Sequence, residues 1–209
     1  MGEKLNLLRQ SFLGADSEIV LGRSKAALVG LGGGGSHIVQ QLAHIGLGNF
    51  LLIDPDFIED TNLNRLVGAT MEDVKLGTAK VDIAERVIKA VNPAAEVVKY
   101  LANWTEVTEE LREIDVIFAC VDSISCRNEL ETFARRFLIP LIDIGMDVHY
   151  VESGQIAGLS CWLAAAAPTA WVSRPHSGLL RPECQARFRS HLMSCYKHGF
   201  ELGAAMMRK

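Results

Sequence analysis

VGLGGGGSH, residues 29–37, is a run of glycines that stands between an apolar stretch and an amphipathic one. The apolar residues 25–31 that lead into it are typical of a buried parallel strand. After it, Ile38, Leu42 and Ile45 recur at i, i+4 and i+7, which predicts a helix. A strand, a glycine loop and a helix in this order favour phosphate binding, because glycines permit close backbone approach and a helix N-terminus offers free N–H groups.

The rest of the chain alternates between predicted strands and predicted helices. The further strands are expected at 49–54, 95–101, 114–121 and 139–146, and the further helices at 78–91, 106–113 and 125–137. Alternation of this kind predicts an α/β fold, here a Rossmann-like, doubly wound, mainly parallel sheet with helices on both faces.

Composition limits the classes of function. The chain has 209 residues, 22% of them charged and 49% hydrophobic, and its formal net charge of −4 gives no electrostatic basis for binding nucleic acid or an anionic membrane. The N-terminus has no signal-peptide pattern, and the apolar stretch 159–171 is too short for a bilayer and contains Pro168. We therefore expect a cytoplasmic protein.

Three regions are expected along the chain. Residues 1–24 read as a helical lead-in, 25–158 as a nucleotide-binding domain, and 159–209 as a divergent tail. From residue 161 onward there are 7 Lys and Arg but only 2 Asp and Glu, whereas the preceding part is acidic. We expect the sheet to be truncated on its C-terminal side.

The glycine run fits the pattern G-x-G-x-x-G through Gly30, Gly32 and Gly35. Asp54 ends the second predicted strand, 19 residues after Gly35, where an acidic side chain can bind ribose hydroxyls. NAD sites and ATP sites share these features, so the loop leaves the nucleotide open.

Residues 54–93, with GLGGGGSH before them and CVDSISCRNELE (120–131) after them, resemble the ThiF/MoeB/HesA family of adenylating enzymes. That family includes the adenylation domains of ubiquitin-activating enzymes. The resemblance covers about residues 9–158, and several separate motifs occur in the expected order.

The resemblance implies a set of ATP-binding residues. The glycines of the loop, including Gly33, and the adjacent Ser36 would bind the phosphates. Asp54 would hold the ribose. The side chains that would line the triphosphate are Asn62, Arg65 and Lys80.

Further residues are implied downstream and at the N-terminus. Asp122 would coordinate Mg²⁺, and Arg127 with Asn128 match the Arg-Asn pair that follows this aspartate in the family. Arg9 would reach the partner subunit's nucleotide in a homodimer.

The chemistry of adenylation suits these residue types. A carboxylate that attacks the α-phosphate is already ionised at pH 7, so it needs charge neutralisation and placement more than a base. Arg65 and Lys80 can neutralise phosphate charge, and Asp122 supplies the hard oxygen that Mg²⁺ prefers, so these three are the expected catalytic residues. Hydride transfer would have little use for them.

The function implied is ATP-dependent adenylation of the C-terminal carboxylate of a small ubiquitin-like or sulfur-carrier protein ending in Gly-Gly, with release of pyrophosphate. Two alternatives stay open. One is an NAD-binding Rossmann oxidoreductase, and the other is a truncated nucleotide-binding module without turnover.

The tail departs from the family. Relatives continue toward a zinc-binding Pro-Cys or Cys-x-x-Cys segment, and Cys161, Cys184 and Cys195 do not have that spacing, so no zinc site is expected. Val172–His176 can be encoded by codons that, read one base later, give Cys-Leu-Gly-Leu-Ile, which resembles the family's continuation. We hypothesise that the tail arises from a frame change.

Overall fold

A computed structural model describes residues 14, 16–150 and 156–166 of the chain, with side chains up to residue 144. The described residues form two compact units, one containing those up to 144 together with 164–166, and the other containing 145–163 apart from the gap at 151–155. The proposed site lies in the first unit.

Strands and helices alternate through the described residues. The strands are β1 Lys25–Val29, β2 Asn49–Ile53, β3 Glu96–Tyr100, β4 Val116–Ala119, β5 Leu141–Tyr150 and β6 Ile156–Ala166. The α-helices are α1 Ser17–Arg23, α2 Gly33–His44, α3 Met71–Leu76, α4 Lys80–Val91, α5 Thr108–Leu111 and α6 Ile124–Phe137. Short 3-10 turns lie at Asp60–Asn62 and Trp104–Glu106.

The strand order is β3-β2-β1-β4-β5-β6. β1 pairs in parallel with β2 on one side and with β4 on the other, so that Ala27 lies opposite both Leu51 and Ile117. β2 pairs in parallel with β3, and β4 with β5. The chain moves outward from β1 in one direction and later in the other, which confirms the predicted doubly wound sheet and places its switch point between β1 and β4.

β1 is buried on both faces, which explains its continuous apolar sequence. Ala26 and Leu28 belong to a cluster with residues of α2 and α4, and Ala27 and Val29 to a second cluster with residues of α6. The four side chains are at most 2% exposed. Helices therefore cover both faces of the strand that leads into the glycine loop.

The predicted elements differ from the observed ones mainly at their ends. The helix expected at 106–113 is shorter, because a 3-10 turn precedes it and only Thr108–Leu111 is α-helical. The lead-in contains α1, and β6 crosses the expected boundary between 158 and 159. Residues 167–209 lie outside the described residues, so the boundaries of the tail stay a prediction.

No helix in the ranges that the structure describes is long and apolar enough to cross a membrane.

Candidate functional site

The glycine loop turns sharply where β1 ends. Gly30 has φ +89°, and a Cβ there would lie 2.5 Å from the carbonyl oxygen of Cys120 at the end of β4. A Cβ at Gly35 would lie 2.0 Å from the carbonyl oxygen of Gly30. Both positions require glycine, because the loop passes against β4 and α2 packs directly on the loop.

The N-terminus of α2 has no side-chain cap. Gly32 is the N-cap and provides no side chain, and the first turn has no acidic residue. The N–H groups of Gly32, Gly33, Gly34 and Gly35 donate hydrogen bonds to no described residue. A Cβ at Gly32 or Gly34 would meet open space. Donors of this kind at the positive end of a 12-residue helix are able to bind an anion such as phosphate.

Asp54 follows β2 and lies beneath this loop. Its Oδ2 accepts a hydrogen bond from the Leu31 N–H at 2.6 Å, and its Oδ1 accepts one from the Asp56 N–H at 2.8 Å. Burial raises the pKa of the carboxyl, while the two hydrogen bonds and the nearby charge of Lys80 oppose that rise. With 4% exposure, Asp54 holds the loop to β2 in this structure, and ribose binding stays a prediction.

Arg65 lies over the first residue of α2. A Cβ at Gly33 would lie 3.2 Å from Cδ of Arg65, so the stem of the arginine passes just above the helix N-terminus. Its Nη1 donates to the carbonyl oxygen of Thr61 at 2.7 Å and to Oδ1 of Asn64 at 3.2 Å. The side chain is exposed, and its stem lies against Gly33, the first residue of α2.

Lys80 is the first residue of α4 and lies near Asp54. Its Nζ donates to Oδ2 of Asp56 at 2.7 Å, and its side chain is 11% exposed while that of Asp56 is 62% exposed. An antiparallel bridge between Phe57 and Ala79 keeps the two segments together. The bridge therefore fixes the backbone next to Lys80, and the exposed Asp56 carboxylate neutralises the Lys80 ammonium group.

Ser36 and Asn62 make hydrogen bonds within the protein. The Ser36 hydroxyl donates to the carbonyl oxygen of Gly33 at 3.0 Å and accepts from the Val67 N–H at 3.1 Å, and the residue is 4% exposed. Oδ1 of Asn62 accepts from the Glu59 N–H at 3.2 Å as part of a capping box. Ser36 thus connects α2 to the segment that carries Arg65.

Asp122 follows β4, across the switch point from the glycine loop. Its side chain is exposed, and its carboxylate makes no hydrogen bond or ion pair with any described residue. An exposed carboxylate at this end of the sheet fits a hard cation such as Mg²⁺. No group of three or more His, Cys, Asp or Glu side chains within the described ranges could hold a metal ion.

Arg127 on α6 pairs with Asp143 on β5. Its Nη1 donates to Oδ1 of Asp143 and, at 3.1 Å, to the carbonyl oxygen of Ile144. The two side chains are 12% and 17% exposed. The Arg127–Asp143 pair joins α6 to β5.

Burial raises the pKa of the neighbouring Cys120 thiol to about 12, so this thiol stays protonated.

The structure brings most of the predicted residues to one end of the sheet. The loop glycines, Asp54, Arg65 and Lys80 surround the start of α2, and Asp122 lies at the end of the strand that borders the loop. Arg9 lies outside the described residues, as do the side chains of Cys161, Cys184 and Cys195.

The sequence interpretation missed two residues that hold the Arg65 segment, Asp73 and Arg86. The spacing of Thr70 and Asp73 is that of a helix capping box, and it could have indicated a helix start there. No sequence signal joins Arg86 to this segment.

Comparison with known proteins gives relatives that include an adenylyltransferase and a modifier-activating enzyme. The chain is 34% identical over 147 residues to the molybdopterin-synthase adenylyltransferase of Haemophilus influenzae, an alignment that covers 67% of this chain and 59% of that protein. It is 29% identical to ubiquitin-like modifier-activating enzyme 5 of Rattus norvegicus over 75% of this chain and 42% of that protein. The chain thus spans about half of the length of these relatives, 59% of one and 42% of the other.

Solved structures of Escherichia coli proteins show the same fold. The structure of MccB with ATP has a TM-score of 0.59 and 27% identity, over 69% of this chain and 48% of that chain. The complex of tRNA N6-threonylcarbamoyladenosine dehydratase with ATP has a TM-score of 0.61 and 25% identity, over 68% and 64%. Both neighbours were solved with ATP bound.

A model of the ThiF family matches residues 5–170, which extends beyond the resemblance at 9–158 on both sides. This match includes the glycine loop, the segment of Asn62 and Arg65, Lys80 and Asp122. The chain belongs to the ThiF family.

Proposed function

We propose that this protein uses ATP to adenylate the C-terminal carboxylate of a small ubiquitin-like or sulfur-carrier protein that ends in Gly-Gly. The product would be an acyl-adenylate, and pyrophosphate would be released. The adenylyltransferase and the modifier-activating enzyme among the relatives support this class of reaction.

The observation that carries the proposal is the uncapped N-terminus of α2. Four successive N–H groups there donate to no described residue, at the switch point of a parallel sheet, with the stem of Arg65 above Gly33 and Lys80 near Asp54. Such a site favours a ligand with several negative charges. The two solved neighbours with ATP bound support a nucleotide triphosphate as that ligand.

The proposed roles follow from charge. The carrier carboxylate attacks the α-phosphorus, the bond from that phosphorus to the bridging oxygen breaks, and the electron pair leaves with pyrophosphate. Arg65 and Lys80 neutralise the charge that grows on the phosphate oxygens and on the leaving group. Lys80 would exchange its hydrogen bond to Asp56 for one to phosphate.

Asp122 is the residue that we propose for Mg²⁺, since its carboxylate is exposed and without a partner among the described residues. The bound cation would offset phosphate charge. Binding of the ribose by Asp54 and phosphate contacts from Asn62 and Ser36 are part of the same proposal, as is a homodimer in which Arg9 reaches the partner subunit's nucleotide.

The test is exchange of radiolabelled pyrophosphate into ATP by the full chain, with and without candidate carrier proteins that end in Gly-Gly. We expect carrier-dependent exchange that Arg65→Ala and Asp122→Ala abolish without changing the far-UV circular dichroism. Arg135→Ala and Glu131→Ala, which break an exposed pair on α6, serve as controls and should retain exchange.

A folded chain that shows no exchange with any carrier would contradict the proposal. If that chain still bound ATP, the result would favour a nucleotide-binding module without turnover. Full exchange by Asp122→Ala would remove Asp122 from the site.

A further inference from the structure

The segment from Leu66 to Thr70 connects Arg65 to α3, and side chains from two helices hold it. On the side of α2, the Ser36 hydroxyl accepts a hydrogen bond from the Val67 N–H at 3.1 Å. Leu66 is 5% exposed and packs in a small apolar cluster with Ile83 of α4. The backbone that follows Arg65 is therefore bound between α2 and α4.

Arg86 binds this segment from α4. Its Nη2 donates to the carbonyl oxygen of Gly68 at 2.8 Å and to Oδ2 of Asp73 at 2.6 Å, and its Nη1 donates to Oδ1 of Asp73 at 2.8 Å. The Asp73 side chain is 6% exposed and also accepts from the N–H and the hydroxyl of Thr70. One planar guanidinium thus connects the two ends of a short turn.

The turn at Gly68 has little freedom. Gly68 has φ +79°, and a Cβ there would lie 2.3 Å from Cγ2 of Val87, the residue after Arg86. The backbone of Gly68 lies against α4, next to the Arg86 guanidinium that donates to its carbonyl oxygen. A shift of Arg86 therefore changes the backbone path at Gly68.

Arg65 directly precedes this segment in the chain, so the held backbone begins at the next residue, Leu66. The side chain of Arg65 is exposed, and its hydrogen bonds go to Thr61 and Asn64 within its own loop. We propose that Arg86 is a positioning residue that, by holding Gly68, keeps the side-chain stem of Arg65 over the N-terminus of α2. This inference rests on the proposed function, in which Arg65 binds the phosphates of ATP.

The test measures the dissociation constant of ATP with Mg²⁺ by calorimetry on the full chain. Arg86→Ala should weaken binding about 10-fold, in line with coupling through a shared segment. It should weaken binding no further in the Arg65→Ala background, because Arg86 acts through Arg65. Arg135→Ala, a control of similar exposure on α6, should bind as the wild type does.

A second measurement needs no nucleotide. Amide hydrogen exchange at Val67 should be faster in Arg86→Ala than in the wild type, and unchanged in Arg135→Ala. Arg86→Lys keeps the charge but loses the fork, so it should give intermediate values in both measurements. If Arg86→Ala does not fold, Arg86→Lys carries the comparison.

Equal exchange at Val67 in wild type and variant would overturn the inference, as would additive losses of ATP affinity in the double variant. If Arg65→Ala binds ATP as tightly as the wild type does, the proposed role of Arg65 fails, and the role assigned to Arg86 with it. In that case faster exchange at Val67 would still show that Arg86 holds the segment.

Discussion

Gly34 and Gly35 are neighbours in the first turn of α2, yet an added methyl group would meet different surroundings at each. At Gly35 it would lie 2.0 Å from the Gly30 carbonyl oxygen, whereas at Gly34 it would meet no atom within 4 Å. Gly35→Ala should therefore lower the free energy of unfolding by about 1–3 kcal/mol, the usual cost of overpacking. Urea denaturation followed by circular dichroism measures the change.

Gly34→Ala is the matched control. Alanine has a higher helix propensity than glycine, by about 0.8–1.0 kcal/mol in a helix interior, so this variant should be at least as stable as the wild type. Equal losses of stability in the two variants would contradict the close contact between α2 and the loop.

At the scale of elements, the start of α3 is joined to α4 by Asp73 and Arg86. The hydrogen bonds from Arg86 hold the pKa of the Asp73 carboxyl well below its usual range. A carboxyl with a lowered pKa in the folded state contributes stability that is fully present above its unfolded pKa of about 3.9 and is lost as the pH falls below it.

Asp73→Asn should therefore destabilise the protein at pH 7 by about 1–2 kcal/mol, a value reduced because Arg86 is half exposed. The difference in unfolding free energy between wild type and variant should shrink as the pH falls below about 5 and should keep shrinking below pH 3. Glu109→Gln, which breaks an exposed pair with Arg112, should show a small difference throughout. A gap that stays constant with pH would contradict the role of Asp73.

At the scale of the whole molecule, binding of a nucleotide should stabilise the fold. ATP with Mg²⁺ at about 100 times its dissociation constant should raise the free energy of unfolding by about 2.7 kcal/mol, and the Tm should rise by several degrees. NAD at the same concentration should give a smaller shift, because Arg65 and Lys80 favour a triphosphate. Thermal unfolding of the full chain measures both, and a larger shift with NAD would favour the oxidoreductase alternative.

The sequence by itself predicted the alternating strands and helices of the doubly wound sheet, although not α3 or β6. The apolar run into Gly30 predicted a buried strand and the residues after the glycines predicted a helix, and the structure confirms both. These features depend on residues that are near one another in the chain, so local patterns report them.

Tertiary structure alone decided how the side chains of the site are used. Ser36 accepts from Val67, 31 residues away, and both oxygens of Asp54 accept from backbone N–H groups, one of them in the glycine loop. Arg86 on α4 donates to the carbonyl oxygen of Gly68, in the segment before α3. Such hydrogen bonds form only when packing brings distant segments together, and no spacing of residues in a single sequence reports that event.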